Sequence, residues 1–314
     1  MKLHHDIKLF STTLRAASQH LNIKLEFVEK DYLITLMLSR LANSKYAAQS
    51  VFKGGTSLSK GYHLIERFSE DIDIAIINNK DKSGNEIKSI IRAIEKVITT
   101  DLKEVKIDGV TSKGSRFRKS VFEYVTTEKN DANNKLIVEI NSFANPFPFQ
   151  KLTIKSMVFD FLMQTKNEKY IDEYKLQPFR VNVLSKEQTL LEKTVSLIRF
   201  SFKENTIKSI SEKIRHFYDL YYLMNDSECI EFVNSDLFKK KFDTLLEYDR
   251  KIFKEPKNWQ TKTVSESPLV NDFLSLWKEL KEKYQMELTA LAYGPIPDEK
   301  EVAKFFEKLI KRIE

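Results

Sequence analysis

The run DIDIAII, which begins at Asp71, alternates through Ile76 between an acidic or small residue and isoleucine. This period of two predicts a β-strand in which Asp71 and Asp73 project from the same face, with their Cα atoms about 6.7 Å apart. The opposite face carries Ile72, Ile74 and Ile76 and is expected to fill a core. Two ionised carboxylates side by side repel each other, so this strand needs a cationic partner.

A divalent metal is the cation that best answers this need, because Mg²⁺ prefers carboxylate oxygens and keeps positions for water and phosphate oxygens. Glu139 supplies a possible third ligand, since it is the acidic residue of the otherwise apolar strand LIVEI. The alternative is that Asp71 and Asp73 lie at an exposed sheet edge and pair with Arg67 or Lys60.

The segment before this strand, KGGTSLSK, favours the metal interpretation. Gly54 and Gly55 end a predicted strand, SVFKGG, and allow the backbone to approach a ligand closely. A helix that starts at a hydroxyl cap on Thr56 would point free N–H groups at an anion. The hydroxyls of Thr56 and Ser57 could also donate to phosphate oxygens. The spacing of a Walker A loop is absent. An anion site beside a metal site suits a nucleoside triphosphate with bound Mg²⁺.

The chain of 314 residues is long enough for two parts, and its pattern changes near Leu184. Residues 1–184 alternate helical and strand-like segments, of which KLIVEINSF is the last clear strand. Residues 185–314 read as helices, beginning with Ser185 and Gln188 at capping-box spacing. The sequence therefore predicts an α+β domain over residues 1–184, with a mixed sheet and flanking helices, followed by a helical domain.

The net charge is +7, which favours a polyanionic partner. Cys229 is the single cysteine, so an intrachain disulfide is impossible and a reducing compartment is expected. The N-terminus lacks the apolar core of a signal peptide, and no apolar run approaches the roughly 20 residues of a membrane span. These features predict a cytoplasmic protein that does not interact with membranes.

The stretch FKGGTSLSKGYHLIERFSEDIDI resembles the signature of polymerase-beta-type nucleotidyltransferases, in the version carried by the AbiEii/AbiGii abortive-infection toxins. Three further segments are similar to motifs of that family and follow in the family's order: LIVEI, EKTVSLIR around Lys193, and RHFYDLYYL around Asp219. EKDY at residues 29–32 matches the family's N-terminal helix. The gap between the glycines and Asp71 is longer than in compact members of the superfamily, which leaves open whether Thr56 or Ser57 acts on the phosphates.

This resemblance implies that Asp71 and Asp73 hold Mg²⁺ on the triphosphate and that Glu139 completes the shell of a second ion. It implies that Lys193 neutralises charge on the departing pyrophosphate, and that Asp219 orients Lys193, Arg215 or the acceptor hydroxyl. The alternatives are a solvated Lys193 and an ion pair between Asp219 and Arg215. The residues predicted to bind the nucleotide are Gly54, Gly55, Thr56, Ser57, Lys60, Arg67 and Ser69.

The basic segment SKGSRFRKS could clamp an RNA backbone, or its charge could serve solubility. Its cations are Lys113, Arg116, Arg118 and Lys119.

The expected function is magnesium-dependent transfer of a nucleotide from a nucleoside triphosphate, bound in a cleft between the two halves, to an RNA such as tRNA. The resemblance implies the toxin of a toxin–antitoxin pair whose antitoxin is a separate protein. Two alternatives remain. A metal-dependent nuclease of the D…E-x-K type would need lysine where Asn141 stands. A non-catalytic nucleic-acid-binding module would use the +7 charge alone.

Overall fold

The computed structural model describes residues 1–69, 71–77, 82–126 and 134–314. The chain divides into two compact units. The first comprises Met1–Tyr62 and Phe68–Leu184, and the second comprises His63–Arg67 and Ser185–Glu314. The short segment His63–Arg67 thus packs with the helical unit, although it lies between motifs of the first half in the sequence.

The first unit contains helices and one mixed sheet. Its helices are α1 (Ile7–Leu21), α2 (Leu25–Ala42), α3 (Gly54–Lys60), α4 (Gly84–Ile98), α5 (Met157–Gln164) and α6 (Lys169–Glu173). Its strands are β1 (Ser50–Lys53), β2 (Asp71–Ile76), β3 (Lys103–Val105), β4 (Ser112–Lys113), β5 (Phe117–Glu123), β6 (Lys135–Asn141), β7 (Phe149–Ile154) and β8 (Phe179–Leu184).

The sheet has the strand order β3-β5-β6-β2-β1-β8-β7, and β4 pairs with β5. β2 runs antiparallel to β1 and parallel to β6, so it lies in the interior of the sheet. The predicted mixed sheet with flanking helices is therefore confirmed, and an exposed-edge position for Asp71 and Asp73 is wrong.

The alternation of β2 is resolved as predicted. Ile72 and Ile74 are fully buried and Ile76 is 2% exposed, and all three join the core of this unit. Burial of each such side chain contributes about 1.5–3 kcal/mol. The opposite face, with Asp71 and Asp73, is only partly buried. One strand thus anchors the fold through its isoleucines and presents carboxylates on its other side.

The glycine-rich segment differs from its sequence prediction. The helix α3 begins at Gly54, not at Thr56, and its N-cap is Lys53, which makes no side-chain cap hydrogen bond. It ends at Lys60, and His63 has a φ of 52°. The prediction of a hydroxyl cap at Thr56 was wrong because the positive φ of Gly54 turns the chain directly from strand into helix.

Two strands of this unit follow LIVEI, so the prediction that KLIVEINSF is the last clear strand was wrong. β7 and β8 pair antiparallel, and β8 joins β1 in parallel. Among these described strands, β7 lies at one end of the order, and only Ile154 of its side chains is buried. An edge strand that buries little has a weak apolar pattern, which explains why the sequence did not show it.

The second unit is helical, as predicted. Its helices are α7 (Lys186–Ser201), α8 (Thr206–Ser211), α9 (Arg215–Leu223), α10 (Ser227–Asn234), α11 (Asp236–Ile252), α12 (Pro268–Asn271), α13 (Phe273–Leu291) and α14 (Glu299–Ile313). α7 begins after Ser185, whose side chain accepts the N–H of Gln188. Phe217 contacts the rings of Phe273, Trp277 and Phe306. Within the described ranges, no helix combines the length and apolar character that a membrane span requires.

Candidate active site

The carboxylates of β2 belong to a row of charged residues across four neighbouring strands. In the pairing register, Asp73 lies opposite Lys53 of β1 on one side and opposite Glu139 of β6 on the other. Glu139 in turn lies opposite Lys119 of β5. Directly opposite residues project from the same face of a sheet, so these four form one row, which we call the charged row. Asp71 stands on the same face, two residues before Asp73.

Within the charged row, Lys119 and Glu139 form an ion pair. The Nζ of Lys119 lies 2.6 Å from Oε1 of Glu139, and the two side chains are 27% and 23% exposed. Partial burial disfavours the ammonium, but the charges of Glu139, Asp71 and Asp73 outweigh this cost and raise the pKa of Lys119. Lys119 therefore remains charged at neutral pH and balances the carboxylates beside it.

The donor set of Asp71 and Asp73 suits a divalent cation. Both side chains offer oxygen ligands from one face of an interior strand, and both are partly exposed. Hard cations such as Mg²⁺ select such oxygens. Among the described residues, no three His, Cys, Asp or Glu side chains are grouped so that they could hold a metal ion. Glu139, the predicted third ligand, neighbours Asp73 in register but its carboxylate engages Lys119.

Gly54 fits against Asp73. Its φ is 78°, and a Cβ atom added there would collide with the Asp73 carboxylate, whose Cγ would lie 3.0 Å away. The glycine therefore serves two purposes, because it adopts the left-handed backbone and leaves room for the acidic side chain.

Replacing Gly54 with alanine should damage both the fold and the site. We expect the strain of the left-handed backbone to cost about 1–2 kcal/mol and the collision with Asp73 to add roughly 1–3 kcal/mol. Gly109→Ala is a matched control, since Gly109 also has a φ of 78° but has nothing within 4 Å of an added Cβ. Urea unfolding of both variants measures the difference. Equal losses in the two variants would show that the contact with Asp73 costs nothing.

The two hydroxyls predicted to bind phosphate are used within the protein. The Oγ1 of Thr56 donates to the carbonyl of Asp71 at 2.6 Å, and the Oγ of Ser57 donates to the carbonyl of Gly54 at 2.8 Å. A hydroxyl has a single proton to donate, so both protons are already engaged. These bonds fix the start of β2 and the glycine turn. Gly55 lies in the first turn of α3, and Ser69 is buried two residues before Asp71.

Lys60, another predicted nucleotide-binding residue, ends α3 in a buried ion pair with Asp31. The other oxygen of Asp31 accepts the N–H of Met157 at 2.8 Å, at the start of α5. Asp31 belongs to the segment EKDY on α2. The structure thus gives Lys60 a partner within the fold and shows how that segment of α2 is tied to the helix after the glycines.

The second unit contains a buried cluster of Arg67, Lys193 and Asp219, which we call the Asp219 cluster. Arg67 donates from Nε to Oδ1 of Asp219 at 2.7 Å and from Nη2 to Oδ2 at 2.6 Å. The Nζ of Lys193 lies 2.7 Å from Oδ2 of the same carboxylate. The side chains of Arg67, Lys193 and Asp219 are 3%, 7% and 0% exposed. The structure therefore brings together three of the predicted site residues.

This arrangement excludes one alternative for Lys193, because a solvated Lys193 is wrong for a side chain that is buried. Asp219 contacts Lys193, and its role in orienting Lys193 stays a prediction. Arg215 lies 3.9 Å from Glu287, so the ion pair of Asp219 with Arg215 is replaced by the contact with Arg67.

Asp219 is held in its ionised form. Its complete burial alone would raise the pKa, but the charges and hydrogen bonds of Arg67 and Lys193 hold the pKa of Asp219 well below its usual range. A carboxylate with so low a pKa is a poor proton acceptor at neutral pH. On the same helix, desolvation and the Lys193 charge lower the pKa of His216, which is therefore neutral. Asp219 is thus suited to positioning cations.

The segment His63–Arg67 is held in the second unit by its backbone as well. The carbonyl of Glu66 accepts the N–H groups of Tyr293 and Gly294 at 2.9 and 3.2 Å, and Arg67 forms a β-bridge with Ala292. Arg67 reaches Asp219 from this anchored position.

The basic segment predicted as a possible RNA clamp is largely neutralised within the sheet. Lys113 lies 2.7 Å from Glu104, Arg118 contacts Glu95, and Lys119 contacts Glu139. Arg116 is exposed. Most of these cations therefore stabilise local structure, and the sequence did not show it because the partners lie on other elements.

Comparison with known families identifies the class of protein as a nucleotidyltransferase. The family model described as nucleotidyl transferase AbiEii toxin, type IV toxin–antitoxin system, matches residues 36–308. The chain therefore belongs to the AbiEii family of nucleotidyltransferase toxins, as the resemblance predicted.

Two solved structures are similar to this chain at low sequence identity. A crystal structure from H. pylori, described as a candidate nucleotidyltransferase, is similar with a TM-score of 0.47 and 16% identity, over 93% of this chain and 96% of that chain. MenT4, a nucleotidyltransferase toxin from Mycobacterium tuberculosis, is similar with a TM-score of 0.49 and 14% identity, over 96% of this chain and 98% of that chain. The curated proteins contain no match.

Sequence reasoning missed Lys53, Lys119 and Asp31 as neighbours of the predicted site residues. Lys53 and Lys119 follow from strand register, and Asp31 from the packing of α2 on the first unit. No signal in the sequence singled out Asp31, because it follows Glu29 and Lys30 in a charged run that only the structure shows to be buried.

Proposed function

We propose that this nucleotidyltransferase toxin transfers a nucleoside monophosphate from a nucleoside triphosphate to RNA, in a reaction that depends on Mg²⁺. The observation that carries the proposal is the partly exposed pair Asp71 and Asp73 on one face of an interior strand, with Gly54 packed against Asp73. The hydrophobic core lies on the other face of β2 and does not require these carboxylates. Neighbouring carboxylates repel each other, so a role in binding a cation is the simplest reason for their placement.

In this proposal Asp71 and Asp73 hold the divalent ion, which supplies positive charge to the triphosphate. The backbone at Gly54 and Gly55 lacks side chains and allows close approach of the phosphates. The acceptor hydroxyl oxygen forms a bond to the α-phosphorus, the bond from that phosphorus to the bridging oxygen breaks, and pyrophosphate leaves. The hydroxyl proton passes to water. The work of the protein is to position the reactants and to neutralise charge.

Lys193 and Asp219 have separate roles in this proposal. Lys193 provides a charged ammonium for the negative charge that develops on pyrophosphate. Asp219 acts as a positioning residue, since its two oxygens are occupied by Arg67 and Lys193. The position of Arg67 is then fixed by its two hydrogen bonds to Asp219 before any nucleotide binds.

The preferred acceptor is the 3′ end of tRNA. A free hydroxyl on an exposed single-stranded end suits in-line attack on an α-phosphate, and the net charge of +7 favours a polyanion. A cognate antitoxin, encoded as a separate protein, completes the system in this proposal, because the family is one of type IV toxin–antitoxin systems.

Expression in host cells tests this acceptor. We expect wild-type protein to slow growth and Asp71→Asn protein, produced at the same level, to leave growth normal. Sequencing of tRNA 3′ ends from the two cultures should show added nucleotides only with the wild type, and it also identifies the nucleotide and the number added. Arrested growth with unextended tRNA ends would redirect the proposal to another acceptor. Equal growth in both cultures would contradict toxicity through transfer.

A further inference from the structure

Lys119 is the feature of the carboxylate site that the proposed function leaves without a role. Asp71, Asp73 and Glu139 share one face of adjacent strands, and Lys119 follows directly in the charged row. Its Nζ lies 2.6 Å from Oε1 of Glu139. Both side chains are about three-quarters buried, so solvent screens this pair less than it would screen a surface ion pair.

We propose that Lys119 is the protein's own counter-ion for this site: it holds the carboxylate of Glu139 and lowers the affinity of Asp71 and Asp73 for a free divalent ion. This inference rests on the proposed metal dependence of transfer. In this inference Lys119 is a positioning residue, and its ion-pair partner in the nucleotide-free protein is Glu139.

The physical reason is competition between two cations for the same carboxylates. A fixed ammonium beside Glu139 reduces the repulsion among the three acids, and it also repels any further positive charge that approaches them. A free divalent ion must therefore bind against this repulsion. A triphosphate that carries its own divalent ion brings negative charge, which offers Lys119 a new partner and removes the obstacle. The charged row thereby favours the metal–nucleotide complex over the metal alone.

The other lysine of the row occupies a different place. Lys53 lies opposite Asp73 at the end of β1, directly before Gly54. Lys119 lies opposite Glu139, and the charges of Asp71 and Asp73 also act on it. One substitution at Lys119 therefore changes the electrostatic environment of all three carboxylates.

Binding of Mg²⁺ to the full-length, nucleotide-free protein tests this inference. Calorimetric titration should give a Kd about tenfold lower for Lys119→Met than for the wild type, because the repelling charge is gone and Glu139 is released. The rise in Tm on adding Mg²⁺ should be larger in the variant. Lys119→Arg keeps the charge and should bind Mg²⁺ as the wild type does. Lys113→Met is the control, since Lys113 lies near Lys119 in the sequence but pairs with Glu104.

Each outcome separates this inference from the function on which it rests. Wild-type Mg²⁺ affinity in Lys119→Met would overturn the inference and leave the metal site intact. Weaker binding in Lys119→Met would overturn it as well, since Lys119 would then organise the ligands. Absence of Mg²⁺ binding in the wild type, in Lys119→Met and in Lys119→Arg would overturn the metal dependence itself. Lys119→Gln replaces Lys119→Met if circular dichroism shows that the methionine variant does not fold.

Discussion

Replacing Asp73 with asparagine should abolish nucleotide transfer while the protein stays folded, and Asp71→Asn should behave in the same way. Asparagine keeps the shape of the side chain but removes the negative charge that a divalent ion needs. We expect a loss of about 10³-fold or more in rate, equivalent to about 4 kcal/mol in the barrier. The rate is measured as label transferred from a nucleoside triphosphate to total RNA.

Stability should change little in these two variants. The carboxylates lie on the partly exposed face of β2 and the core lies on the other, so neutralising one acid removes repulsion and leaves the packing of Ile72 and Ile74 intact. Asp108→Asn is the matched control, because the side chain of Asp108 is 95% exposed. It should retain full activity. Wild-type rates in Asp71→Asn and Asp73→Asn would place the metal site elsewhere.

Replacing Asp219 with asparagine should destabilise the protein severely. The substitution leaves the charges of Arg67 and Lys193 buried without a counter-charge, and breaking a buried ion pair in this way costs about 3–5 kcal/mol. The expected fall in Tm is roughly 10 °C. Thermal unfolding followed by circular dichroism measures it, and the specific activity well below the transition reports the role of the cluster in transfer.

A surface ion pair gives the control for this effect. Asp243 lies 3.1 Å from Lys239 one helical turn away, and its side chain is 49% exposed. Asp243→Asn should change the stability by less than about 1 kcal/mol. If Asp219→Asn melts at the wild-type temperature, the Asp219 cluster does not hold the second unit together. The complete burial of Asp219 is the reason to expect a loss of stability and not only a loss of activity.

The response of the Asp219 cluster to acid follows from its lowered pKa. A carboxyl group whose pKa falls on folding contributes stability above its unfolded pKa of about 4, and loses this contribution only as the pH drops toward the lower folded value. The cluster should therefore remain intact through mildly acid pH.

The local sequence pattern was sufficient to predict that β2 has an apolar face of isoleucines and an opposite face that carries Asp71 and Asp73. A period of two is a property of the strand itself, so Asp71 and Asp73 could be placed together before any partner strand was known. Capping-box spacing at Ser185 and Gln188 likewise predicted the helix start that α7 shows. The site residues that depend on a single stretch of chain were thus accessible from the sequence.

Long-range pairing could not be predicted in this way. Lys60 and Asp31 are 29 residues apart in the sequence, and Arg67 and Asp219 are 152 apart. Each pair forms because packing buries two charges together, and neither residue type nor spacing identifies the partner. The register that sets Lys119 beside Glu139 is likewise fixed by the pairing of β5 with β6.

The most direct test of nucleotidyl transfer compares two labels. Purified wild-type protein is incubated with RNA, Mg²⁺ and each nucleoside triphosphate labelled either at the α-phosphate or at the γ-phosphate, with Asp73→Asn in parallel. We predict that the α-label enters RNA with the wild type alone and that the γ-label is released as pyrophosphate. Entry of the γ-label into RNA, or shortening of RNA without entry of label, would contradict nucleotide transfer by this site.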